Sequence, residues 1–225
     1  MRIACLHTAD SNIMVFETAA RQLKLPADAI HHAVRTDLLA AAEQVGEVTA
    51  DIARQTADAL AILSTNADAV ILTCSTLGPV AETVARRSAV PILRADAALV
   101  LRAVSAGGCV VVLCAVGTTV GPTTRLFADA AQAVAGCEID VRLVPGAWAL
   151  FKAGDQAGYH AAIAAAAERA YANGATVVAL AQSSMTGAAK MVKNGPLPLT
   201  SPEAALEAAI AAIRSSLTPD DRDAL

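Results

Sequence analysis

No stretch of this chain reaches the ~18 apolar residues that a membrane span requires without a polar interruption, although 55% of its 225 residues are hydrophobic. The most apolar run, CVVVLCAV at 109–116, has the length of a strand and stops at GTT. The N-terminal MRIACLHTAD has too short an apolar core for a secretory signal. A soluble, cytoplasmic protein with no membrane partner is therefore expected. Basic clusters are missing as well. The net charge is −4 and the lysines and arginines are scattered, so the cationic face that a nucleic acid needs is lacking. Cys-x-x-Cys and His-x-x-x-His pairs are absent, which argues against structural zinc. The five cysteines are odd in number and irregularly spaced, and Cys5, Cys109 and Cys114 fall in strand-like runs. That is the usage of reduced, mostly core thiols. Aromatics are only 3% of residues, and alanine and aliphatic side chains carry the apolar weight.

What is present is alternation. RIACLH (2–7), AIHHAV (29–34), AVILTC (69–74) and PILRA (91–95) read as strands, with helical spacing of apolar residues over 12–23 and 48–64. The second half follows suit, with strands at 109–115, 139–144 and 176–181 and helices at 124–135 and 156–172. A last helix over 201–216 opens on Ser-Pro-Glu, a cap with proline at the first helical position. Strict strand–helix alternation predicts parallel sheets covered by helices. The near-continuous Val/Ile/Leu runs are those of strands buried on both faces.

The halves also repeat one another. LTCSTLG at 72–78 returns as LAQSSMTG at 180–187, with Gln182 standing where Cys74 stood, and AIHHAV and IDVRLV hold matching slots. The chain reads as α/β, with two pseudo-symmetric, Rossmann-like lobes built on parallel sheets. The first lobe covers 1–97 and the second 98–204, with the 201–216 helix packing back on the first. Ligands of parallel α/β sheets lie beyond the carboxyl ends of the strands. There the sequence places His7 to Asn12 and Thr73, Cys74, Ser75 and Thr76, then Gly117, Thr118, Thr119, Gln182, Ser183 and Ser184. An active site in the cleft between the lobes, lined by hydroxyls, amides and helix N-termini, would suit a carboxylate. Cys74, just before a helix N-terminus, has the setting of a reactive thiol, against the reading of a small buried filler.

The TCST turn after the third strand, the matched turn in the second half, the SN after the first strand, the GTT turn and VPGAWALFKAGD at 144–155 resemble the aspartate/glutamate/hydantoin racemase superfamily. The resemblance covers nearly the whole chain. It implies a cofactor-independent isomerase in which two cysteines flank the α-carbon of a small-molecule substrate, one removing a proton and the other returning one. Carried over by position, Cys74 matches the first cysteine, and Asn12, Ser75 and Thr76 match carboxylate-holding positions. Thr118 and Thr119 match polar groups of the second lobe, where Ser183 and Ser184 join the substrate-binding candidates. The resemblance also implies a homo-oligomer.

The second cysteine position is Gln182, and an amide cannot exchange a proton near neutral pH. A symmetrical two-thiol racemase is therefore not encoded. A one-thiol site supports racemisation with another group or water as partner, cis–trans isomerisation, or protonation of the enolate left by decarboxylating an activated malonate. Asp10 is the nearest substitute partner, weighed against a plain helix N-cap, and Gln182 would stabilise a developing enolate through its N–H. Alternatives are an arylmalonate-type decarboxylase, a non-catalytic small-carboxylate binding protein, and a Cys/His hydrolase using His7. The decarboxylases of this group, as the resemblance implies, keep the second-lobe thiol instead.

His7 reads either as a site residue or as a satisfied interior group. His31 and His32, consecutive in a strand, point to opposite faces and cannot pair on a metal. His160 reads as a surface or interface residue, Trp148 and Phe151 as core packing ahead of an apolar pocket wall, and SAGGC as a turn unlike a phosphate loop. No arginine is read at the strand ends, which favours a ligand less acidic than aspartate or glutamate, or one held by backbone N–H groups.

Overall fold

The computed structural model describes residues 1–216 and divides them into two compact units, Met1–Ala95 joined by the chain from Pro202 onward, and Asp96–Ser201. The first unit carries β1 (Ile3–His7), α1 (Ser11–Gln22), β2 (Ile30–Val34), α2 (Thr36–Val45), α3 (Ala50–Ser64), β3 (Ala69–Leu72), α4 (Gly78–Ala85) and β4 (Ile92–Arg94). Its sheet is wholly parallel, in the order β2-β1-β3-β4. The second unit runs through α5 (Ala95–Ala106), β5 (Gly108–Cys114), α6 (Gly117–Ala131), β6 (Cys137–Leu143), α7 (Ala147–Lys152), α8 (Gln156–Ala172) and β7 (Val177–Leu180). A 3-10 turn at Ser183–Met185 and the short α9 (Thr186–Ala189) follow. Its sheet, β6-β5-β7, is also parallel. In both sheets the first strand of the unit lies between the second and the third, so the repeated strand-end phrases follow topologically equivalent strands.

Every residue of β1 and β3 is buried, as are the last five of β5, because helices cover both faces of a parallel sheet. The helices do this through single stripes. In α3, Ile52, Thr56 and Leu60 are buried at four-residue spacing, and the Thr49 side chain accepts the Ile52 N–H at its start. In α8, Tyr159, Ile163, Ala167 and Ala170 form the buried face, and Asp155 caps the helix by accepting from the Gly158 N–H at 2.8 Å. The last helix, α10 (Pro202–Ser216), places Ala205, Leu206, Ala209 and Ile213 in one core with Ile3, Phe16 and Ile71 of the first unit. No helix among the described residues is long and apolar enough to cross a membrane.

Four helices do not follow from the sequence reading: α2, α5, α7 and the short α9. The reading also starts α6 late. Gly117, Thr118 and Thr119, expected in a turn, form the first turn of that helix, with Pro122 inside it. Pro122 is the sixth residue of α6, so its missing N–H forgoes one i→i−4 hydrogen bond of the helix.

Candidate active site

Four segments of the first unit converge where β1, β3 and β4 end. Thr73 continues the β1–β3 ladder, its N–H donating to the Leu6 carbonyl at 3.0 Å. Cys74 follows, 7% exposed, on the bend that opens α4. Its sulfur is held by four donors: the Thr8 hydroxyl, the Thr76 N–H and hydroxyl, and the Leu77 N–H. Burial nevertheless dominates and pushes the thiol up from its ordinary value, because a buried thiolate loses more hydration than the donors restore. At the start of α1, Ser11 Oγ and Asn12 Oδ1 are buried without a hydrogen-bond partner. Such groups cost about 1–3 kcal/mol each when left unmatched, and a polar ligand would satisfy them. Ser75 and Thr76 are buried beside Cys74 in the chain. Asp10 occupies the N-cap position of α1 but is exposed, and its side chain makes no capping bond.

The expectation of no arginine at a strand end is corrected here. Arg94 is the last residue of β4, is 8% exposed, and pairs with Glu82 of α4. Its guanidinium lies against Gly78, where an added Cβ would come within 2.6 Å of Arg94 Nε. The absence of a side chain on Gly78 is thus what lets the arginine reach the start of α4. The Glu82 carboxylate offsets the Arg94 charge, so the premise about arginine fails while the local charge stays small.

Beneath this turn runs a chain of polar groups that sequence spacing does not disclose. Parallel register sets Cys5 opposite His32, and His7 lies two residues further along β1 on the same face. His7 Nδ1 is 2.9 Å from Thr73 Oγ1, and His7 Nε2 is 2.9 Å from His32 Nδ1. His32 Nε2 is 3.0 Å from Glu17 Oε1 on α1. His31 points outward and is exposed, as strand alternation requires. Burial, with His32 as a second influence, holds His7 down to about 3. Cys5, His7 and His32 bring three metal-ligating atoms within 4.8 Å of one another. The facing histidine nitrogens are already joined by a hydrogen bond, however. The Cys5 thiol is held protonated by burial and by the Glu17 charge. A metal would have to displace both protons.

In the second unit the equivalent strand ends carry different groups. Gln182 follows β7, and its Oε1 accepts from the Ala115 N–H at 2.7 Å, which ties the ends of β5 and β7 together. Its Nε2 is buried and has no partner within hydrogen-bond distance. Cys114, ending β5, is pushed up to about 12 by burial, against the opposing influence of Thr123 and Gln182. Thr119 is buried and Thr118 half-buried in the first turn of α6. Ser184 Oγ and the Tyr159 hydroxyl share a 2.9 Å hydrogen bond, and Ser183 Oγ lies 3.3 Å from Ser201 Oγ. Both serines are thus engaged internally and shape the turn. His160, expected at a surface or interface, donates from Nε2 to the Ser184 carbonyl at 3.1 Å and braces the same turn. Trp148 and Phe151 stack at 4.6 Å, and Phe151 meets Tyr159 edge-on at 5.1 Å. All five cysteines are free thiols.

The sequence reading missed Thr8, Glu17 and Arg94. Thr8 lay within the strand-end segment and was not singled out; Glu17 and Arg94 gave no local signal.

Comparison with known proteins agrees with this architecture. The chain is similar to a glutamate racemase from Bacillus anthracis, with a TM-score of 0.69 at 12% identity over 93% of this chain and 80% of that one. It is similar to an allantoin racemase from Pseudomonas fluorescens, with a TM-score of 0.66 at 19% identity over 97% and 93%. An aspartate racemase from Picrophilus torridus gives a TM-score of 0.68 at 16% identity over 99% and 98%. No curated protein sequence matches. The family model of the Asp/Glu/hydantoin racemases matches residues 8–210, so the chain belongs to that family and is an isomerase of the racemase type.

Proposed function

We propose that Cys74 is the acid/base of a cofactor-independent isomerase that moves a proton at the α-carbon of a small carboxylate or cyclic amide. The observation that carries this reading is the four-donor setting of the Cys74 sulfur at the head of α4. Burial favours the thiol and the donors favour the thiolate, and a group pulled both ways is suited to taking a proton and giving it back. The thiolate removes the α-proton, and the electron pair of the broken C–H bond moves into the adjacent carbonyl to give an enolate. Asn12 Oδ1, as placed, would accept an N–H of the ligand. With its amide turned about, the same residue would offer N–H groups to a carboxylate. Ser11 Oγ serves either ligand class.

The chemistry is one-sided. Gln182 cannot return a proton, and its Oε1 is committed to the Ala115 N–H. Water or the uncapped Asp10 carboxyl supplies the second proton.

Proton exchange in D2O followed by NMR tests the reading, with wild type and Cys74→Ser. The panel comprises aspartate, glutamate, substituted hydantoins, arylmalonates and maleate. Deuterium entering an α-carbon with wild type alone is expected. Loss of CO2 from an arylmalonate would assign the same thiol to decarboxylation instead. If no compound changes while several raise the melting temperature of both forms equally, the chain binds without turnover and the reading falls.

A further inference from the structure

We propose that Glu17, His32, His7 and Thr73 form a one-proton relay that sets how the strand end bearing Cys74 is held. Its significance for catalysis rests on the role of Cys74 proposed above. The geometry leaves two bonding patterns. With His32 neutral, the ionised Glu17 must receive the Nε2–H of His32, so His32 Nδ1 is an acceptor. His7 then carries its proton on Nε2 and donates it to His32. His7 Nδ1 in turn accepts the Thr73 hydroxyl proton. With one proton more, His32 carries both N–H groups and the two central bonds reverse. His32 Nδ1–H donates to His7 Nε2, and His7 Nδ1–H donates to Thr73. The Thr73 hydroxyl is then released to donate to the Leu6 carbonyl, which lies 3.1 Å away.

The balance is one proton. His7 stays neutral in both patterns and changes only its tautomer, in keeping with its buried position. The added charge resides on His32, beside the Glu17 carboxylate, where the side chains are 13% and 30% exposed and solvent can supply the proton. The ionisable groups facing the relay are Cys5 from β1 and Arg21 from α1, the latter 3.9 Å from Glu17.

The consequence lies one residue along each strand. His7 and Thr73 join β1 to β3, and the next residues, Thr8 and Cys74, join through the hydroxyl–sulfur bond. In the protonated pattern the Thr73 hydroxyl bonds both His7 and the Leu6 carbonyl, and in the other it bonds His7 alone, while the Thr73 N–H stays on Leu6 in both. The proton count at the half-exposed edge therefore changes how firmly the Thr8–Cys74 pair is held. His7, His32, Glu17 and Thr73 are positioning residues in this scheme.

Two measurements test it, and neither needs a substrate. Imidazole nitrogen shifts of 15N-histidine-labelled protein are followed by NMR over a pH range of about 5 to 9. His7 is expected to exchange its Nε2–H tautomer for the Nδ1–H tautomer as His32 takes up its proton. The rate of iodoacetamide alkylation at Cys74, read by peptide mass spectrometry, should show a step of about threefold at the same pH, the scale of one gained hydrogen bond. That step is expected to vanish in Thr73→Val and return in Thr73→Ser. A His7 that keeps one tautomer throughout overturns the relay, as does a Thr73→Val profile identical to wild type. Histidine spectra that zinc shifts at one equivalent would assign the cluster to metal and also overturn it. Should the relay pass while no compound exchanges an α-proton, it stands and the catalytic role of Cys74 falls.

Discussion

Thr8→Val isolates one of the four donors that hold the Cys74 sulfur. The substitution keeps the β-branched shape at a site 7% exposed and removes only the hydroxyl. The Thr8 hydrogen bond stabilises the thiolate much more than the thiol, since bonds to a charged partner contribute about 1.5–3 kcal/mol and neutral ones less. At 1.4 kcal/mol per factor of ten, the thiolate fraction below the titration of Cys74 should fall about tenfold or more. Because burial already pushes this thiol up, the loss adds to an existing handicap that the Thr76 and Leu77 donors offset only in part. The assay is the rate of Cys74 alkylation at fixed pH, resolved by peptide from the half-buried Cys109 and Cys137, with melting temperature as the check on folding. Thr8→Ser should keep most of the wild-type rate. A fall of less than about twofold in Thr8→Val, with folding intact, would show that the hydroxyl does not hold the thiolate. A wild-type Cys74 that never reacts would show that the sulfur is closed to small molecules.

Acid should destabilise the fold through His7. Its folded value of about 3 lies below the ~6.5 of an unperturbed imidazole, so between those values the unfolded chain binds a proton that the folded chain refuses. Stability is therefore full above about pH 6.5 and falls as the pH drops, by about 1.4 kcal/mol per pH unit at full slope. Denaturant titrations of wild type and His7→Gln across that window check it, and a variant whose acid slope does not flatten would refute it. In the second unit, Tyr159→Phe should cost about 1 kcal/mol by stranding Ser184 Oγ, which shares a 2.9 Å bond with the buried phenol. Adding Ser184→Ala should recover part of the loss in a double-mutant cycle, and strict additivity would show that the pair is not coupled.

Much of the architecture was legible because it is written in local periodicity. The continuous apolar runs of β1, β3 and β5 and the 3.6-residue stripes of α3 and α8 are patterns that any short window displays. Where such windows are short or run together, legibility ends. Ala95 opens α5 directly after Arg94 closes β4, so no turn residue marks the change, and the arginine was absorbed into a strand. The pairing of Arg94 with Glu82 depends on α4 lying beside β4.

The sequence by itself determined the strand–helix alternation and the repeated strand-end turns, with Gln182 in one copy where Cys74 stands in the other. Those follow from residue identity and local order. Only tertiary structure decided that His7 meets His32 across 25 residues and that Gln182 Oε1 takes the Ala115 N–H across 67. The partner of a buried polar group is chosen by the register between distant strands, and register is a property of the packed sheet, absent from any window of the chain.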